Sequence, residues 1–294
     1  MEVEDLGATD GVVQPTKILL LDCDTIAFAS ASTAEYAEEV MPREFYHEDE
    51  WKEIMEHPFY SEEDGCIWKT DIEQAIATST EKIRFIMGET NTKSAELYFT
   101  EGRNFRYDLY DMYKANRKGN RYPSGLGAIK DGLLKEFPGM SCSEFEADDM
   151  VVMLKRTQPN KYILAAVDKD VLKSVPGKHF NYYSSERYDI PMKWQETTIE
   201  DAFKFPYVQT LMGDSSDNIP GCPGIGPKKA EKALEGCDTP QDLWKAVVKM
   251  FKSKKLTVKD AIRDMRLVNM HMLHPKKGGG YEIVLWNPPT IEGD

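Results

Sequence analysis

The chain has 294 residues, is 41% hydrophobic and 30% charged, and carries a net charge of −13 at pH 7. This length supports one large domain or two smaller ones with a real core. No apolar run approaches the roughly 18 residues needed to span a bilayer. The acidic start, Met1 to Asp10, also lacks the basic region of a signal peptide. Cys23, Cys66, Cys142, Cys222 and Cys237 are scattered without a Cys-x-x-Cys pair. Free thiols in a reducing, cytoplasmic compartment are therefore expected.

The charge is unevenly spread. Residues 31–65 hold twelve acidic and two basic side chains, and residues 1–10 contribute a further −4. Two stretches are locally basic: 103–130 has seven Lys/Arg against two Asp, and 226–255 has eight Lys against four acids. Limited basic tracks on an acidic protein suit contact with phosphate along part of the surface. The ordinary alternative is a pair of solvated helix faces.

Residues 1–15 read as an acidic, disordered tail. Residues 17–22 (Lys-Ile-Leu-Leu-Leu-Asp) read as a buried parallel strand ending in a carboxylate. An acidic insertion follows at 33–65. The apolar positions Ile72, Ala75, Ile76, Ile83, Ile86 and Met87 predict an amphipathic helix over 71–87. A second strand is predicted at 96–100, followed by Glu101. Residues 103–123 are basic and aromatic. A helix begins near Glu144, and a third strand at 161–167 precedes Asp168 and Asp170. An edge hairpin is predicted at 178–190, a mainly helical region from about 195, and a late strand at 281–286.

Strands alternating with helices predict an α/β fold with a mostly parallel sheet flanked by helices. Asp22, Glu101 and the Asp168/Asp170 pair each stand at or just past the C-terminal end of a strand, the edge where open α/β sheets form their ligand crevice. With Glu146, Asp148, Asp149, Asp214 and Asp217 they make nine candidate metal ligands. Each has an ordinary reading alone: a turn residue, a helix cap, a plain loop. Together they would repel one another unless a cation intervened. Oxygen-only ligands favour Mg²⁺ or Mn²⁺ over zinc. Two such ions about 3.5–4 Å apart can activate water and stabilise a leaving oxygen.

Residues 211–230 read Leu-Met-Gly-Asp-Ser-Ser-Asp-Asn-Ile-Pro-Gly-Cys-Pro-Gly-Ile-Gly-Pro-Lys-Lys-Ala. Asp214 and Asp217 thus stand directly before a Gly-rich loop, Gly221 to Gly226, with Lys228 and Lys229 opening the next helix. Glycines admit close backbone approach, and a helix start offers free N–H groups to an anion. The run resembles the helix-three-turn-helix signature of the 5′-nuclease family, which includes flap endonucleases, the 5′-nuclease domain of bacterial DNA polymerase I and stand-alone phage 5′-3′ exonucleases. The Glu-Ala-Asp-Asp run at 146–149, Asp168-Lys169-Asp170 and Gly213 to Asn218 carry the same resemblance, which covers roughly residues 17–235 and is greatest to the phage enzymes.

The resemblance implies two or more divalent ions on the nine acids, and a helical arch over 103–123 carrying Tyr113-Lys114-Ala115-Asn116-Arg117. Lys114 is then the cation at the scissile phosphate, Arg117 its electrostatic partner, and Tyr113 a platform for an unpaired base. Gly221, Gly224, Ile225, Gly226, Lys228 and Lys229 would grip duplex phosphate, with a monovalent cation at the hairpin loop. The implied organisation is an α/β nuclease domain at 16–194 and a helical DNA-binding subdomain at 195–294. The expected partners are DNA with a 5′ end or flap, RNA–DNA hybrids and replication proteins, with a monomeric enzyme and no membrane. Two departures stand out: Glu101 where the family has Asp, and Cys23 where it has Gly. A non-catalytic DNA-structure-binding protein and an RNA-directed PIN-class nuclease are the rivals. The nearly complete acid set argues against the first and the hairpin loop against the second.

Overall fold

A computed structural model describes residues 17–290, and the tail expected over 1–15 lies outside them. The first strand, β1 (Ile18–Asp22), occupies the centre of a six-stranded sheet. Its three leucines are fully buried because both faces are covered. Leu19 and Leu21 pack beneath α1 (Asp24–Thr33), while Leu20 joins the core on the other face. A continuous apolar run is what a two-sided parallel strand requires.

The chain then leaves the sheet. β2 (Glu35–Glu39), α2 (Glu48–Glu56), β3 (Tyr60–Ser61) and β4 (Cys66–Thr70) form a separate antiparallel sheet in the order β2-β4-β3, with α2 inserted in the chain between β2 and β3. The acidic insertion is thus a small β-subdomain that runs on to Thr70. The return element is α3 (Ile72–Glu89), capped by Asp71, whose carboxylate accepts the Gln74 N–H at 3.0 Å. Ala75, Ser79, Ile83 and Ile86 recur along its buried face, where each Ile contributes roughly 1.5–3 kcal/mol.

β5 (Ala95–Thr100) pairs parallel with β1, and the connection to α5 (Leu126–Glu136) passes through one short helix, α4 (Arg106–Leu109). Then come β6 (Gly139–Cys142), α6 (Ala147–Thr157), β7 (Tyr162–Ala166), α7 (Lys169–Lys173), β8 (Gly177–Asn181) and β9 (Lys193–Thr197). The sheet order is β6-β5-β1-β7-β8-β9, parallel except at the β8–β9 edge. The remaining helices are α8 (Ile199–Met212), α9 (Pro227–Ala233), α10 (Pro240–Ser253) and α11 (Val258–Val268), followed by a hairpin of β10 (Leu273–Pro275) and β11 (Tyr281–Ile283). Leu211, Leu243, Val247, Phe251 and Met265 bind α8, α10 and α11 into their own core. No helix among the described residues is long and apolar enough to cross a membrane.

Two local expectations need correction. The edge hairpin closes later than 178–190: β8 pairs with β9, with the Trp194 ring 5.3 Å from that of Phe180. Residues 186–190 form a turn instead, bounded by a Ser185–Ile190 bridge and containing Asp189 at φ 50. The segment 103–123 is not an arch of helices. Between α4 and a 3₁₀ turn at 115–117, Lys114 adopts φ 53, a left-handed conformation that no helix continues through. The segment lies down on the loop after α8 instead of standing free.

Candidate functional site

Asp22 ends β1 at mid-sheet. Glu101 follows β5 on one side of it and Asp168 follows β7 on the other, so strand order brings distant acids to one edge. Asp148 enters from the first turn of α6 and comes within proton-sharing reach of Asp22. Burial, then the neighbouring Asp24, pushes the Asp22 carboxyl up to about 6. Burial and the facing Asp22 also raise Asp148 well above the usual carboxylate range. The Asp148 Oδ1 atom is buried without a hydrogen-bond partner among the described residues. Burial and then Asp168 raise Asp170 to about 6, with Asp214 adding to the effect. Asp168 caps α7 by accepting the Asp170 N–H at 2.7 Å, and Asp214 accepts the Ser216 N–H and hydroxyl.

Three other expected ligands have cations of the chain's own. Asp149 accepts both terminal nitrogens of Arg106, at 2.6 and 2.7 Å, and the Glu146 N–H at 3.0 Å. Both Asp149 oxygens are thus engaged in a buried ion pair with Arg106. Glu146 accepts from Lys114 at 2.5 Å, Asn104 at 2.9 Å and Tyr113 at 3.1 Å. Burial alone would raise its carboxyl, but Arg106 and Lys114 outweigh that and hold it at about 2. Asp217 receives Arg117 and the Tyr113 hydroxyl, with Lys114 3.6 Å away. Glu101 is exposed, and among the described residues only its backbone N–H is engaged, on the Cys142 carbonyl.

Tyr113 is 2% exposed and bridges Glu146 to Asp217, which leaves it no face for a base in this conformation. Sequence reasoning also missed several supports. Asp24 is held by Lys130 at 2.6 Å, and its other oxygen accepts the Thr100 N–H. Arg106 and Asn104 fix the start of the 103–123 segment. Nothing in the sequence distinguishes Arg106 from the six other basic residues of 103–130; only its burial does.

Among the described residues, Asp22, Asp148, Asp168, Asp170 and Asp214 thus have no ion-pair partner, and neither does the exposed Glu101. No three His, Cys, Asp or Glu among the described residues converge as a ready-made cage. The donor set nonetheless fits a hard divalent cation: every donor is oxygen, three carboxyls carry raised pKa values, and one buried oxygen is orphaned.

Asp168, Asp170 and Asp214 form one wall of an open groove of about 1360 Å³. The other wall is the hairpin loop and α9, with Ile225, Gly226, Lys228 and Lys232. Lys229 folds back onto the Gly224 carbonyl at 3.0 Å, while Lys228 stays exposed. Gly226 has no steric need to be glycine, since a Cβ there meets nothing within 4 Å. Gly221 differs. It has φ 60, and a Cβ would stand 2.2 Å from the Gly213 nitrogen. Its N–H donates to Asp264 at 3.1 Å, and burial pushes that fully buried carboxyl up to about 6. Gly221→Ala is therefore expected to cost about 2–4 kcal/mol through strain and overpacking. Urea denaturation measures this, and a parental midpoint would show that the loop can relax.

Residues 202–272 match the family model described as 5′-3′ exonuclease, C-terminal SAM fold. The chain is 34% identical over 161 residues to DNA polymerase I of Rhizobium leguminosarum, across 51% of this chain and 15% of that protein. It is 28% identical over 158 residues to flap endonuclease Xni of Shewanella amazonensis, across 51% of this chain and 62% of that one. The match thus spans less than two thirds of either relative. Among solved structures, the T5 D15 protein co-crystallized with metal ions superposes with a TM-score of 0.50 at 19% identity, covering 67% of this chain and 83% of that one, a likeness of fold. The match over the helical region and the sequence relatives agree: the chain is similar to 5′-3′ exonucleases and flap endonucleases.

Proposed function

We propose that the chain is a divalent-metal-dependent 5′-nuclease that hydrolyses phosphodiesters at DNA 5′ ends and flaps and in RNA–DNA hybrids, leaving 5′-phosphates. The observation that carries this reading is the pairing of five acids, none with an ion-pair partner among the described residues, with a groove whose far wall is the hairpin loop. Residues 16–194 are the catalytic domain in this reading, and residues 195–294 hold duplex DNA. Gly224, Ile225 and Gly226 admit a phosphate backbone closely, and Lys228 supplies charge without reading sequence. A monovalent cation at this loop belongs to the same reading.

Asp22, Asp148, Asp168, Asp170 and Asp214 would hold two or more Mg²⁺ or Mn²⁺ ions. When bound, such ions lower the pKa of water and offset charge on the phosphodiester oxygens. The chain's own residues do the rest. Glu146 and Asp217 hold the Lys114 and Arg117 side chains through ion pairs. A phosphate arriving there can take those cations over, as its oxygens accept the same N–H donors. The two-metal mechanism and a place in replication or primer removal complete the proposal.

The test is Mg²⁺-dependent cleavage of a 5′-labelled blunt duplex and a 5′-flap duplex, with an EDTA control. Mononucleotides from the first substrate or a flap-length fragment from the second are expected. Binding of both without cleavage would replace this reading with a structural DNA-binding role.

A further inference from the structure

The acidic β-subdomain meets the 103–123 segment at its far end. Glu35 and Thr70 are paired across β2 and β4, and Trp68 lies two residues from Thr70, so all three share one face of the small sheet. That face grips the chain just before α5. Arg121 donates to both Glu35 oxygens at 2.5 and 2.9 Å, and its guanidinium sits 4.7 Å from the Trp68 ring centroid. The Ser124 and Thr70 hydroxyls stand 3.1 Å apart. The Glu35 side chain is only 8% exposed, and Arg121 is its ion-pair partner. A nearly buried carboxylate with a bidentate arginine is a fastener, unlike the loose ion pairs of an exposed acidic surface.

The same segment is fastened twice more. Arg106 anchors its beginning on Asp149 and on the Leu267 carbonyl. Its middle lies on the loop after α8: the Lys114 N–H donates to the Asp217 carbonyl, Asn116 to the Ser215 carbonyl, and Asn218 to the Met112 carbonyl. A single strand threaded beneath this segment would have to break these middle bonds. The middle lifts freely only if one end lets go. The Arg121 end is the weaker, since its guanidinium is 46% exposed on the side chain whereas that of Arg106 is 3% exposed.

Resting on the nuclease reading, we infer that the acidic subdomain is a strap: Glu35 and Trp68, by holding Arg121, keep the 112–124 segment down and bias the chain toward duplex 5′ ends over long single-stranded flaps. Glu35 and Trp68 are specificity-determining positions that touch neither substrate nor the reacting atoms. The experiment compares the parent, Glu35→Gln and Trp68→Ala on the blunt and 5′-flap duplexes with Mg²⁺. The variants keep every cation of the segment. The ratio of flap-length fragment to mononucleotide is expected to rise about tenfold in Glu35→Gln, the factor that about 1.4 kcal/mol supplies. Amide exchange reads the strap without cleavage. Protection of the Lys118 and Asn120 N–H groups, which bond within the segment, is expected to fall in both variants. Unchanged protection together with an unchanged product ratio overturns the strap. A parent that cleaves neither substrate overturns the nuclease reading instead, and exchange then decides the strap alone.

Discussion

Asp148→Asn is expected to abolish divalent-dependent cleavage while raising the melting temperature of the metal-free protein. Both effects come from one carboxylate. Asp148 faces Asp22 and lies near Asp168, and one of its oxygens is buried with no partner among the described residues. In metal-free protein this charge is a burden, because burial and like charge both oppose ionisation. The sign follows from the raised folded-state values. A carboxyl whose pKa rises on folding favours the folded state at low pH and loses that advantage as pH climbs through the folded value. Asp22 and Asp170 each rise from 3.8 to about 6, so metal-free stability should fall between about pH 4 and pH 6. Each such carboxyl contributes on the order of 2–3 kcal/mol to that fall. Mg²⁺ should remove much of the slope by pairing the ionised forms. In Asp148→Asn the slope should be shallower and the stabilisation by Mg²⁺ weaker. A loss of about 4 kcal/mol of charge stabilisation corresponds to roughly a thousandfold in rate. Thermal melts from pH 4 to 8, with Mg²⁺ or EDTA, check the stability arm, and the duplex assay checks the other. Parental cleavage by a folded Asp148→Asn protein would remove Asp148 from the site.

The acids were easier to read from sequence than their partners. β1, β5 and β7 are apolar runs that end in or near carboxylates, and sheet order does the rest, so Asp22 and Asp168 were legible at once. Asp71 and the Ala75 to Ile86 stripe gave away α3 within two residues. Which acids remain bare was not legible. Glu146, Asp149 and Asp217 are neutralised by Arg106, Lys114 and Arg117, which approach from 30 to 100 residues away through a segment with no periodic pattern. The resemblance implied a helical arch there, but side-chain anchoring on the 214–218 loop overrides local helix preference. The acidic insertion was equally opaque: Glu-Tyr-Ala-Glu-Glu is a poor strand by propensity and is ordered by pairing with the Cys66–Thr70 strand.

Arg106→Leu should unfold the chain at a temperature roughly 10 °C lower, from a loss of about 3–5 kcal/mol. The guanidinium is 2% exposed and carries three obligations at once: Asp149 by two bonds, the Leu267 carbonyl at 2.8 Å, and Glu146 at 3.6 Å. These partners belong to α6 and α11, so one side chain ties the α/β layers to the helical region. Leucine fills much of the volume but leaves the Asp149 carboxyl, itself 1% exposed, without its arginine partner. Because the pair is dry, high salt should not mask the loss. Asp149→Asn in the Arg106→Leu background should recover part of it by removing the orphaned charge. Acid unfolding provides a second readout. Glu146 is held at about 2, below its usual 4.5, so its stabilising contribution is present above pH 4.5 and lost as pH falls toward 2. Without Arg106 its folded value rises, and the acid-unfolding midpoint should move to higher pH. A parental melting temperature together with a parental acid midpoint would mean that water replaces the guanidinium, and the tie between the two layers would then rest on the remaining contacts, among them the apolar contact of Tyr113, Ile219 and Leu267.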